Sequence, residues 1–207
     1  MPLPLPEDRP RLEVTLDDGS AAELSPLLPE DRDLLAEGMS QLSPNARFTR
    51  FGQGRGDLTS KELDYLTQVD QRRHVAWGAI AGGAAAGVGR YIVDHQGCAE
   101  MAVTVLDRFQ RRGVGRALFQ ALVAVARADG IDKICFEALP ENLAVQRIFR
   151  GVPLQLDSDQ GMVTGRVAVA DIPVSKREAE MVELLEGVRG GQSPDSGSNS
   201  SDAELTQ

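Results

Sequence analysis

The sequence predicts an α+β domain: a mixed, mostly antiparallel central sheet flanked by helices, over about residues 8–172, with an acidic tail over 173–207. Three observations carry this. Strand-like stretches follow one another across short turns, as hairpins do. The clearest amphipathic helix sits between strands without regular β–α alternation, which would instead indicate a doubly wound parallel sheet. Beyond Gly190 the chain is Gly, Ser, Asp and Asn with almost no apolar residue, too little to bury and to order itself.

Arg11–Leu16 alternates apolar and polar residues and meets Asp17-Asp18-Gly19, a strand ending in a turn, with a second strand over Ala22–Leu27. Pro29-Glu30-Asp31 opens a helix whose Leu34, Leu35, Met39 and Leu42 keep helical spacing until Ser43-Pro44. Asn45–Asp57 reads as a loop. Thr59-Ser60-Lys61-Glu62 is a capping box for a helix through Leu63, Leu66 and Val69. His74–Ile80 and Ala85–Val93 form a hairpin around Gly82-Gly83, and Cys98–Leu106 follows the turn Asp94–Gly97. Over Gly113–Arg127, residues Val114, Ala117, Leu118, Ala121, Leu122 and Val125 draw one apolar helical face, and Gly130 suits the residue just past its end. Lys133–Ala138 is a strand, Pro140-Glu141-Asn142 opens a helix to Phe149, and strands near Leu154–Leu156 and Met162–Val169 flank the turn Asp157–Gly161. Val174–Val188 has the composition of a charged, frayed helix.

Composition narrows the function. The 207 residues suffice for one domain with an appendage, and an apolar fraction of 42% supports a core. No apolar run is long enough to span a membrane, and Met1–Pro6 lacks the basic and apolar regions of a secretory signal. Cys98 and Cys135 read as separate buried thiols in a reducing cytoplasm. Net charge is −9, of which residues 175–207, with seven acids against three bases, supply −4. No basic footprint for nucleic acid is present, and no Cys/His cluster has metal-ligand spacing.

The informative segment is Gln110-Arg111-Arg112-Gly113-Val114-Gly115-Arg116, between a strand and a helix. A helix start presents unpaired N–H groups and a positive dipole end, and glycines let an anion approach the backbone. A Walker loop would need Gly-x-x-x-x-Gly-Lys, which is absent. A dinucleotide fingerprint would need a third glycine where Leu118 stands and a βαβ unit, where a hairpin precedes. The segment, with Gln110, Gly113 and Gly115 in place, resembles the pyrophosphate loop of the GNAT superfamily of N-acetyltransferases. Ala102-Val103-Thr104-Val105 looks like that family's cofactor strand, and Asn142 like the start of its last conserved helix. Ala99–Val105, Leu42–Phe48 and Asp70–Ala76 resemble the GNAT domains of bacterial protein lysine acetyltransferases, without the cyclic-nucleotide domain that some of those carry.

The resemblance implies acetyl-CoA as co-substrate, an amine as acceptor and direct acyl transfer. It assigns cofactor contacts to Val103, Thr104, Val105, Arg111, Arg112, Gly113, Val114, Gly115, Arg116 and Asn142. Glu100 takes the position of the general base. On parity Glu100 shares a strand face with Ala102 and Thr104. Many members place a tyrosine acid seven residues after the asparagine; here that residue is Phe149. A small-molecule amine as acceptor, and a binding module that keeps acyl-CoA and has lost turnover, are the competing readings. His95 lies in a turn, His74 and Trp77 at structural strand positions, Arg147 and Arg150 on a charged surface, and Arg47, Arg50 and Arg55 in a loop.

Overall fold

The structure, a computed structural model, describes residues 9–43, 58–140, 142–159 and 161–191. The strands are β1 (Leu12–Thr15), β2 (Ala21–Pro26), β3 (His74–Ala81), β4 (Ala84–Val93), β5 (Cys98–Val105), β6 (Lys133–Ala138), β7 (Gln155–Asp159) and β8 (Met162–Ala168). They form one eight-stranded sheet in the order β1-β2-β3-β4-β5-β6-β8-β7. Every neighbouring pair is antiparallel except β5 and β6. That parallel pair exists because the long helix crosses over between its strands. Its pairing is brief: Cys98↔Lys133, Ala99↔Ile134 and Glu100↔Cys135. Beyond Glu100 the two strands part, while β5 stays paired to β4 as far as Gly87↔Val105.

Helices cover both faces. On one, α1 (Arg32–Ser40) and α2 (Ser60–Thr67) enclose a small cluster of Leu27, Leu35, Leu63, Val69 and Ala76. The capping box holds, with Glu62 N–H donating to Thr59 Oγ1 at 3.3 Å and Thr59 N–H to Glu62 Oε2 at 2.9 Å. The other face carries α3 (Val114–Ala128), over the larger core that includes Trp77 and Tyr91. The predicted apolar face of α3 is buried, with Ala117 at its margin, but so are Val123, Ala124 and Ala126.

A second layer explains this. Residues 178–191, where the sequence predicts a charged, frayed helix within the acidic tail, do form a helix, α5 (Glu178–Gly191), and it packs against α3. Met181, Leu185 and Val188, spaced i, i+4, i+7, point inward, the first two only 1% exposed. Each such side chain contributes roughly 1.5–3 kcal/mol by burial. Arg189 fixes the end of α5, donating to Asp129 Oδ1 and Oδ2 at 2.9 and 2.6 Å, to Glu186 Oε1 at 2.5 Å and to the Gln71 carbonyl at 2.7 Å.

Two further expectations are corrected. Cys98 and Cys135 are not separate thiols: they are joined in a disulfide, their Cα atoms 6.2 Å apart. The 37-residue separation concealed that they lie diagonally across the β5–β6 rungs, on one face. β7 also runs on through Asp157 to Asp159, where sequence placed a turn. It is an edge strand exposed throughout, so its acids cost nothing in burial and discourage edge pairing.

Candidate coenzyme groove

A groove open to solvent follows the part of β5 that β6 has left. Met101–Val105 form its floor. One wall is the loop after β5 with the start of α3: Asp107, Phe109, Gln110, Arg111, Gly113, Gly115 and Arg116. The opposite wall is Phe136 and Glu137 of β6 with α4 (Leu143–Ile148). Strand floor and glycine loop, consecutive in the chain, thus meet a short helix that lies well downstream of them.

Local chemistry shapes each part. Gly113 sits at φ 102°, where the left-handed backbone favours glycine. No side chain caps α3, so its first turn offers main-chain N–H groups to the groove. Arg111 and Arg116 are exposed beside them. Gln110 Nε2 donates to the Val105 carbonyl at 3.2 Å and ties the loop to the strand floor. Asn142 Oδ1 accepts from the Ala144 and Val145 amides at 3.2 and 3.4 Å, so it caps α4 while also facing the groove.

β5 serves both faces of the sheet. A Cβ built at Gly89 would lie 3.5 Å from Val103 Cγ2 and 3.0 Å from Leu122 of α3, and one at Gly115 3.5 Å from Val105 Cγ2. Val103 and Val105 thus face α3. The β4–β5 register is unbroken, so Glu100, Ala102 and Thr104 face the other way. Glu100 is exposed, on the last shared rung of β5 and β6, one residue before the groove floor begins.

A family model described as the Acetyltransferase (GNAT) family matches residues 43–151. The chain belongs to the GNAT acetyltransferase family. It is 29% identical over 167 residues to Acetyltransferase Pat of Mycolicibacterium smegmatis, covering 78% of this chain and 50% of that protein. It is 31% identical over 121 residues to Acetyltransferase PA5475 of Pseudomonas aeruginosa, covering 56% of this chain and 65% of that protein. The chain thus spans about half the length of the first of these curated relatives and about two thirds of the second. Among solved structures, the GNAT domain of S. lividans PAT superposes with a TM-score of 0.72 at 28% identity, over 79% of this chain and 99% of that one.

Of the positions that the GNAT resemblance assigned, Val103, Thr104, Val105, Arg111, Gly113, Gly115, Arg116 and Asn142 line the groove. Arg112 and Val114 do not. Val114 is buried in the core, and Arg112 turns away to Asp18 and Ser20. Asp17, Glu137 and Arg147 also line the groove and were not singled out for it. Asp17 comes from the distant β1–β2 turn, which no local pattern betrays. Arg147 lies on the same short helix that Asn142 opens, and that placement was its available signal. Arg47, Arg50 and Arg55 fall outside the described residues.

Phe149 is buried, stacked on Phe136 with centroids 4.6 Å apart and edge-on to Phe119 at 4.9 Å. His74 lies on the Glu100 face, with Nε2 3.4 Å from Arg90 Nη1, and burial followed by the Arg90 charge holds its imidazole down to about 4. It is neutral at pH 7. The exposed ring of Tyr65 lies 5.3 Å from it. His95 is exposed in the turn that Asp94 stabilises by accepting from the Gln96 and Cys98 amides. Among the described residues no group of His, Cys, Asp and Glu is arranged to hold a metal ion, and no helix is long and apolar enough to cross a membrane.

Proposed function

We propose that the chain is an acetyl-CoA-dependent N-acetyltransferase acting on a primary amine. The observation that carries this is the placement, on one strand, of an unpaired backbone edge beside an anion-receptive helix start and of a carboxylate at the point where the sheet opens. A protein lysine is the acceptor we favour, on the likeness of Ala99–Val105 to the lysine acetyltransferases. A cytoplasmic reaction is the reading that a CoA co-substrate supports.

The residues present fit the coenzyme. The uncapped first turn of α3, with Arg111 and Arg116, suits a diphosphate. The edge of Met101–Thr104 that β6 has left suits an amide-bearing arm, and Gly115 leaves it room: a methyl there would already touch Val105. When bound, acetyl-CoA supplies an activated acetyl carbonyl. An amine of pKa ~10.4 is protonated at pH 7, and neutralising it costs about 4–5 kcal/mol. Glu100, on the face away from α3, takes that proton directly or through water. A main-chain N–H of β5 past the opening stabilises negative charge on the acetyl oxygen.

Substituting Glu100→Gln tests the reading. CoA affinity should match wild type, while kcat falls by about 10²–10⁴ and partly recovers as pH approaches the pKa of the amine. A loss of affinity with kcat unchanged refutes the assignment. The buried Phe149, which offers no proton to the leaving thiolate, favours a second reading: a module that binds acyl-CoA without turnover. Wild-type protein that binds acetyl-CoA yet acetylates no lysine peptide or small amine establishes it.

A further inference from the structure

The β1–β2 turn is stitched to the loop of the groove by three contacts. Arg112 Nε donates to Asp18 Oδ2 at 2.6 Å and Nη2 to Ser20 Oγ at 2.9 Å. The Asp17 amide donates to the Arg112 carbonyl at 2.9 Å. At Gly113 the packing leaves no space, since a Cβ would stand 2.7 Å from the Asp17 nitrogen. The acceptor is set in advance: Asp18 Oδ1 accepts from the Ser20 amide at 3.0 Å and from Ser20 Oγ at 2.5 Å. Ser20 first and Arg112 after it hold the Asp18 carboxyl at about 2, so it is charged at neutral pH.

The loop requires outside support. Arg111 at φ 61° and Gly113 at φ 102° are both left-handed, and for a bulky residue such as Arg111 that conformation persists only where surroundings impose it. The alternation also divides the arginines: Arg111 lines the groove and Arg112 points out of it to the hairpin. The hairpin is itself anchored, with Leu12, Val14 and Leu16 in the core.

We infer that the β1–β2 turn is a latch that holds the diphosphate loop in its anion-binding shape, with Arg112 and Asp18 as positioning residues and not ligands. The inference rests on the assignment of the groove to CoA. Without the latch, the loop takes its binding shape for only part of the time, and apparent affinity falls by that fraction. Once the coenzyme is bound the shape is restored, so the chemical step is spared.

Asp18→Ala, Arg112→Gln and the double variant provide the test, read by CoA calorimetry and steady-state kinetics. Each single change should raise the dissociation constant and KM for acetyl-CoA about 3–10-fold, kcat staying within about twofold. The double variant should be no worse than either single one. Arg112→Lys, which keeps the charge but loses the fork, should recover part of the affinity only while Asp18 is present. If Arg112 held the diphosphate itself, Arg112→Gln would weaken binding equally with or without Asp18, and Asp18→Ala would be silent or tighten it; that outcome overturns the latch. Hydrogen exchange of the amides at 111–116 in ligand-free protein separates the two ideas. Faster exchange in Asp18→Ala supports the latch even if wild type binds no CoA, and unchanged exchange refutes it even if wild type binds well.

Discussion

Gly113 and Gly115 are two residues apart in the same loop, yet the structure predicts opposite consequences for adding one methyl group to each. At Gly113 an alanine must hold φ near 102°, which costs an L-residue about 1–2 kcal/mol. Its Cβ would also stand 2.7 Å from the Asp17 nitrogen and 2.9 Å from Asp17 Cγ. The first of these is backbone, hydrogen-bonded to Arg112, so no rotamer change relieves it and the hairpin must shift, for about 1–3 kcal/mol more. The sum, about 2–5 kcal/mol, corresponds to a fall in Tm of roughly 5–15 °C for a domain of this size. Gly115 lies in the first turn of α3, and its nearest neighbour would be Val105 Cγ2 at 3.5 Å, an ordinary contact. Alanine there should leave stability unchanged or raise it by up to about 1 kcal/mol, because glycine is a poor helix residue. The added methyl nevertheless stands in the groove and should weaken CoA binding at least tenfold. Urea unfolding and calorimetry on the two variants measure both axes. If Gly113→Ala is as stable as wild type, or Gly115→Ala binds CoA normally, the geometry assigned to the loop is wrong.

Three other outcomes follow from the packing. Gly165→Ala would drive its Cβ to within 2.1 Å of the Phe136 ring, which stacks on Phe149, so the urea midpoint should drop by the equivalent of about 2–4 kcal/mol. Arg189→Ala leaves Asp129, Glu186 and the Gln71 carbonyl without their shared donor; a loss of about 3–5 kcal/mol is expected, with α5 amides exchanging first. For His74, whose imidazole is held near 4 against an ordinary 6.5, the unfolded chain binds more protons between those values. Stability should therefore be complete above about pH 6.5 and decline as pH falls toward 4, by an order of 1–2 kcal/mol after allowing for solvent access to the half-buried ring. His74→Gln should flatten that slope in urea midpoints taken at pH 4.5 and 7.

What could be read in the sequence was local. The capping box at Thr59, the turns at Asp94 and Gly130 and the face of α3 are all set by neighbours within a few residues, and each is found. The groove was legible because its loop and its floor are consecutive in the chain. What escaped is tertiary. Arg112 reads as a third cation for an anion until the hairpin, over ninety positions upstream, supplies it with a carboxylate. Residues 178–191 look charged because Glu178, Glu180, Glu183, Glu186 and Arg189 are spread evenly among their apolar residues, yet Met181, Leu185 and Val188 suffice once α3 presents a second apolar side. The cysteine pair was hidden for a related reason, since strand neighbourhood follows from sheet order and not from spacing along the chain.

Because β5 alternates its residues strictly between two faces, its work depends on counting as much as on chemistry. Side chains along it can be exchanged one at a time, each with a graded effect. A single residue inserted or deleted between Glu100 and Val103 is a different kind of change: it would send the carboxylate to the α3 side of the sheet or carry the valines to the side away from α3. The strand is therefore open to point substitution and closed to any change of length, and variants of this domain should vary in size at its turns instead.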